Sequence, residues 1–248
     1  MIILKSPQEI ERMKVPCRIV AEILELLKSE VKPGVTTLVL DEFAERHAAK
    51  RGAKPAFKGY NGYPYALCCS LNDQVVHGMP NGRELIEGDI LSLDFGVIRD
   101  GFYGDAALTL PVGPVSKAAE RLIRVTEESL YVAIDAAQPT NRLFDISHAV
   151  QSYVEARGFS VVRDFVGHGI GKSLHESPQI PNFGPPGRGV RLKPGMVLAI
   201  EPMINEKGPE VKVLADGWTA VTCDKGLSAH FEHTVAITEH GPEILTIQ

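Results

Sequence analysis

Leu91-Ser92-Leu93-Asp94-Phe95-Gly96-Val97-Ile98-Arg99-Asp100-Gly101-Phe102-Tyr103-Gly104-Asp105-Ala106-Ala107-Leu108-Thr109-Leu110 is the stretch that decides the fold class. Leu91, Leu93, Phe95 and Val97 alternate with Ser92, Asp94 and Gly96, the period-two pattern of a half-buried strand. Arg99-Asp100-Gly101 reads as a turn, and a return strand runs from Asp105 to Leu110. A hairpin centred between residues 99 and 100 sets Asp94 and Asp105 opposite each other on one face. Two carboxylates so close repel, and each has a raised pKa unless a cation lies between them. The pair therefore points to a divalent metal as well as to a sheet.

Helical units flank this hairpin. Ser6-Pro7-Gln8-Glu9 reads as a helix start, with Ser6 as cap, Pro7 in the first turn and Glu9 closing a capping box. Pro16 is expected to end or kink that helix. Val20, Ile23, Leu24, Leu27 and Val31 continue at helical spacing as far as Lys32-Pro33-Gly34. Leu40, Phe43, Ala44, His47 and Ala48 mark a second helix ending at Gly52. After the hairpin, Leu122, Val125, Leu130 and Ala133 mark one helix, Pro139 breaks it, and Ile146, Ala149, Val150, Tyr153 and Val154 mark another ending at Gly158. Pro33 matches Pro139, Leu38 matches Phe144, and Arg51-Gly52 matches Arg157-Gly158, all at one offset. The pattern reads as an internal duplication. The expected fold is α+β, with two pseudo-symmetric α/β halves, about 1–115 and 116–248, forming one catalytic domain over 1–248 around a central site. Further strands are expected over Val197 to Glu201 and His230 to Ile237, and an irregular loop from Pro181 to Gly195.

Composition narrows the classes. The chain has 248 residues, 44% hydrophobic and 23% charged, with a formal net charge of −5. That is ordinary for a globular domain, and no Lys/Arg block suggests nucleic-acid binding. Charges follow the four-residue apolar start at once, too soon for a secretory signal, and no window is long and apolar enough to span a membrane. The expected location is the cytoplasm. Cys17, Cys68, Cys69 and Cys223 form no C-x-x-C pair and read as reduced thiols.

Three more groups join the two aspartates. His168 lies in Val166-Gly167-His168-Gly169-Ile170-Gly171, where the glycines permit close backbone approach. Glu201 ends the apolar run Val197-Leu198-Ala199-Ile200, and Glu232 lies in His230-Phe231-Glu232-His233-Thr234. Four carboxylates and an imidazole suit hard or borderline divalent ions. Taken singly, each reads as well as a solvated or capping residue. Together they are compatible with a metallohydrolase, of the kind in which two ions sit roughly 3.5–4 Å apart, and composition alone goes no further.

At these residues the chain resembles the methionine aminopeptidases of the short bacterial type I class, over nearly its whole length. The matching pieces, in order, are Asn72-Asp73-Gln74-Val75-Val76-His77-Gly78, Leu93-Asp94-Phe95-Gly96, Asp100-Gly101-Phe102-Tyr103-Gly104-Asp105, Gly167-His168-Gly169-Ile170-Gly171, Ile200-Glu201-Pro202-Met203 and Glu232-His233-Thr234. The resemblance implies the pita-bread (creatinase/aminopeptidase-like) fold and removal of the initiator methionine when the second residue is small. It implies two divalent ions (Co, Mn, Fe, Zn or Mg) held by Asp94, Asp105, His168, Glu201 and Glu232, with Asp105 and Glu232 bridging. It makes His77 the histidine near the substrate amine, His175 the contact to the scissile carbonyl, and Glu201 the proton shuttle. Tyr60, Tyr63, Cys68 and Trp218 match the methionine pocket. A monovalent cation near Asn72, Gln74 and Ser228 is a further expectation. Implied partners are nascent polypeptide N-termini, with the ribosome as a candidate; a monomer is expected.

Val76, Leu174, Phe57 and His230 depart from the family pattern, at the pocket wall and just outside the ligands. Gly171-Lys172-Ser173 does not make a phosphate loop, because Val166 stands where the first glycine belongs. Two rivals share the fold. Prolidases and X-Pro aminopeptidases usually carry a long extra N-terminal domain, and non-enzymatic binding modules lose ligands that this chain keeps.

Overall fold

The computed structural model describes residues 1–247. Four helices form: α1 (Pro7–Glu30), α2 (Thr37–Lys50), α3 (Lys117–Ala136) and α4 (Leu143–Glu155). The capping box at Ser6 is made in both directions, Ser6 Oγ accepting from Glu9 N and Glu9 from Ser6 N. Pro16 neither ends nor divides α1, contrary to the sequence expectation. The missing N–H costs one helical bond, but Met13, Cys17, Val20 and Ile23 are all fully buried around it, and that packing outweighs the loss.

Six strands position the site: β1 (Ile90–Arg99), β2 (Phe102–Pro111), β3 (Gly167–Gly169), β4 (Glu176–Ile180), β5 (Val197–Ile200) and β6 (Glu232–Thr238). They lie in a nine-stranded sheet whose path runs Lys54–Pro55, β1, β2, β6, β5, β3, β4, with Cys68–Leu71 also on β1 and Gly241–Ile244 on β6. The β2–β6 pair joins the two halves. The helix pairs repeat as the duplication predicts: α1 and α3 end, and α2 and α4 begin, at the same offset. Details repeat with them. Arg51 O accepts from Arg99 and Arg157 O from Arg121, while Leu85 N donates to Val35 O and Leu192 N to Asn141 O.

The β1–β2 turn differs from the expected register. Arg99 pairs with Phe102, so the turn residues are Asp100 and Gly101, both at positive φ (51° and 80°) as a two-residue hairpin turn demands. Asp94 therefore faces Ala107 and Asp105 faces Gly96. The carboxylates are diagonal neighbours on one face, not directly opposed. Nor is β1 half-buried: Ser92 is as buried as its apolar neighbours, because both sheet faces are covered. The strand expected over His230 to Ile237 is two. Ser228–His230 pairs with Met203–Asn205 in a separate sheet, and β6 begins at Glu232. From Pro181 to Gly195 the only ladder contact is the isolated Arg142–Arg191 bridge.

Each half has its own core. Ile23, Leu27, Leu40, Leu91, Leu93 and Phe95 centre one, and Leu122, Leu130, Ile146, Val150, Leu198 and Val235 the other.

Candidate metal centre

Strand register gathers the site. Ala107 pairs with Asp94 on one side and Glu232 on the other, which places those two carboxylates in one row. The next row holds His168, which pairs with Ala199, and Ala199 pairs with Thr234. Thr234 Oγ1 in turn accepts from Asp105 N (3.2 Å) and donates to Asp105 O (2.8 Å). Asp105, His168 and Glu232 each offer a ligand atom within 4.8 Å of the others. Glu201, directly after β5, puts Oε1 3.6 Å from His168 Nε2. Asp94 lines the same cavity as the other four.

The donor set fits a divalent cation. Asp94 Oδ1, Asp105 Oδ1 and Glu232 Oε1 are buried without any hydrogen-bond partner, an arrangement that costs several kcal/mol per group unless a cation compensates it. Burial pushes the carboxyls up, Asp94 to about 7 and Glu201 to about 8. Asp105 and Glu232 are also raised, by burial first and by neighbouring carboxylates. His168 behaves oppositely, burial holding it near 3, so it is neutral. Its Nδ1–H donates to Gly169 O at 2.9 Å, which leaves the Nε2 lone pair free to ligate. Glycine is required on both sides. A Cβ at Gly167 would lie 2.5 Å from Ala199 O, and one at Gly169 would run into Ser177 O.

A cavity of about 290 Å³ opens over these residues, with Tyr63, Cys68, His77, His175, Tyr60 and Trp218 in its wall. Thus every residue singled out as a divalent-metal ligand, catalytic group or pocket wall reaches one cavity, while Asn72, Gln74 and Ser228 do not line it. Tyr63 and Trp218 meet edge to face (5.2 Å between centroids), and His77 stands edge-on to Trp218 at 6.4 Å. His77 adopts a left-handed φ of 59°, and burial lowers its pKa to about 4. His175 stands 4.3 Å from the His168 ring, and its Nδ1 bonds Tyr60 OH at 2.8 Å. Of the departures, Val76, Leu174 and Phe57 line the cavity, while His230 lies behind it with Nε2 3.5 Å from Glu201 Oε2. Asn72 and Ser228 meet through Ser228 N and Asn72 O (2.8 Å), whereas the Gln74 side-chain oxygen is taken by Leu71 N. Sequence reasoning missed Phe165 and Met203. Phe165 packs edge-on against His77 at 5.4 Å, and Met203 lines the cavity. Their apolar character in motif-adjacent positions was the available signal, and core residues look the same.

The curled sheet between two α/β halves and its buried oxygen-and-imidazole cluster define a metal-dependent hydrolase of the pita-bread fold. Residues 11–239 match the model for metallopeptidase family M24, and the chain belongs to that family. It is 58% identical to a methionine aminopeptidase of Clostridium perfringens over 100% of this chain and 99% of that one. A solved methionine aminopeptidase of Thermotoga maritima superposes with a TM-score of 0.98 at 50% identity, covering 100% of both chains. A prolidase of Pyrococcus furiosus, 23% identical, shares the fold with a TM-score of 0.79 across 99% of this chain and 66% of that one.

Proposed function

We propose that this enzyme is a methionyl aminopeptidase that removes the initiator methionine of nascent proteins when the second residue is small. The observation that carries the reading is the set of five metal-competent side chains lining one small cavity beside Tyr63, Cys68 and Trp218. A thioether packs well against aromatic and sulfur groups, so that wall suits a methionine side chain. Full-length relatives named methionine aminopeptidase support it. The chain acts as one catalytic domain over 1–248 with halves at about 1–115 and 116–248. It works as a monomer in the cytoplasm on nascent N-termini, with the ribosome as candidate partner.

Asp94, Asp105, His168, Glu201 and Glu232 would hold two divalent ions. Such ions supply Lewis acidity and a water acidic enough to attack at neutral pH. Glu201 is placed to take a proton from the attacking water and pass it to the leaving amine. His77 orients the substrate amine, and His175, set by Tyr60, donates to the oxygen of the scissile carbonyl as charge develops. Desolvation lowers His77 to about 4 and also lowers the more exposed His175, and a neutral imidazole offers one N–H and one lone pair.

The test is release of methionine from Met-Ala-Ser against Leu-Ala-Ser by metal-stripped protein reloaded with each divalent ion. Metal-restored cleavage of the methionyl peptide alone, lost in Asp105→Ala, is expected. Folded protein that cleaves neither peptide with any ion overturns the reading and leaves a binding module.

A further inference from the structure

His175 stands on a loop whose conformation is fixed from an unexpected direction. Lys5, just ahead of α1, lies against it. Lys5 Nζ meets Glu176 Oε2 at 2.5 Å, with the two side chains only 4% and 6% exposed. Glu176 Oε1 accepts from the backbone N–H of Lys172 (2.8 Å) and Ser173 (3.2 Å), closing the loop on itself. Lys5 is itself held by its backbone N–H on Gly195 O at 2.7 Å. The fit leaves no slack. A Cβ at Gly171 would lie 2.5 Å from Lys5 Cε and 2.7 Å from Glu176 Oε1, and one at Gly195 2.8 Å from Lys5 O. A second tie runs outside, Lys172 Nζ to Glu9 Oε1 at 2.8 Å. None of these groups reaches the cavity.

We propose that the buried Lys5–Glu176 pair is a strut, a pair of positioning residues that sets the loop 171–175 and so aims His175 at the substrate carbonyl. The proposal rests on the aminopeptidase reading for the role of His175, and on the structure alone for the strut. The Glu176 carboxylate closes the loop through the Lys172 and Ser173 amides, so a carboxylate that leaves this seat releases the segment that carries the imidazole. A lone buried charge is poorly tolerated, and loss of Lys5 turns the Glu176 side chain toward solvent. A misplacement of about 1 Å in a group that must meet a developing charge is enough for a hundredfold loss in rate.

The experiment uses the full chain with Lys5→Met, and Lys5→Met/Glu176→Gln as the charge-neutral variant that keeps an acceptor for the two amides. Hydrogen exchange of the backbone amides of residues 171–175 is measured first, in the metal-free protein. Lys5→Met is expected to speed it at least tenfold while the α3 and α4 amides stay protected. In the metal-loaded enzyme kcat should fall at least tenfold with KM within twofold and metal affinity unchanged. The loss should vanish in a His175→Ala background, because the strut acts only through that residue. Unchanged exchange in both variants, or losses that multiply fully with His175→Ala, overturns the strut. Exchange is read whether or not methionyl peptides are cleaved, so failure of the aminopeptidase reading and failure of the strut are told apart.

Discussion

In the proposed mechanism Glu201 is the side chain that carries the proton. It touches His168 at 3.6 Å through one oxygen and His230 at 3.5 Å through the other. Glu201→Gln keeps the size and one oxygen but removes the base. The expected result is a kcat lower by about 10²–10⁴ with little change in KM, measured on a methionyl tripeptide. An unchanged kcat would move the proton transfer to another residue. Residue types of this kind are legible in the sequence alone: every ligand proposed from it reaches the cavity. The Lys5–Glu176 pair is not legible there, because no local pattern links positions so far apart.

At the scale of elements, α1 and β2 approach until the strand backbone touches the helix. A Cβ at Gly104 would lie 2.7 Å from Cys17 N and 2.9 Å from the Pro16 carbonyl carbon. Both partners are backbone in packed elements and cannot yield. Gly104→Ala should therefore lower stability by about 1–3 kcal/mol or more, read from the denaturant midpoint at constant m-value. A variant as stable as the parent would show that α1 can slide. The contact also explains why Pro16 is tolerated, since α1 is held from outside as well as by its own bonds. Although Pro16 does not end α1 and the turn closes on Asp100-Gly101 rather than on Arg99-Asp100-Gly101, the helix starts and the capping box came from local rules that act within a few residues. The register of the hairpin did not. The sequence expectation centred it one residue too early, because alternation fixes which face a residue takes but leaves even shifts open.

For the whole molecule, the metal-free site should make stability depend on pH. Asp94 is raised to about 7 and Glu201 to about 8, with Asp105 and Glu232 also raised. The folded chain therefore holds protons that the unfolded chain, with carboxyls near pH 4, has lost. Below about pH 6.5 the buried histidines, His77 and His233 lowered to about 4 and His168 to about 3, oppose this effect; above it the carboxyls act alone, and stability of the metal-free protein falls as pH climbs from about 6.5 through about 8. Divalent ions replace those protons. Thermal scans should show Tm dropping between pH 6.5 and 8, by about several degrees without metal, and little with it. Calorimetry in buffers of different ionisation enthalpy should show proton release on metal binding at pH 6.5. A pH-independent Tm in the metal-free protein would count against a charged, ion-requiring cluster.

The sequence by itself determined the helices, the turn, the repeat of helical units and the chemical type of each ligand. These depend on residue identity and on spacings shorter than one element. Only the tertiary structure decided which oxygens meet. Ala107 lies between Asp94 and Glu232 because β2 and β6, from opposite halves of the chain, pair at one register. His168 reaches Glu201 because β3 lies beside β5, and Lys5 braces the His175 loop because the chain start folds across both. Such pairings are set by closing long loops against the burial of two cores, a balance that no short stretch of residues carries.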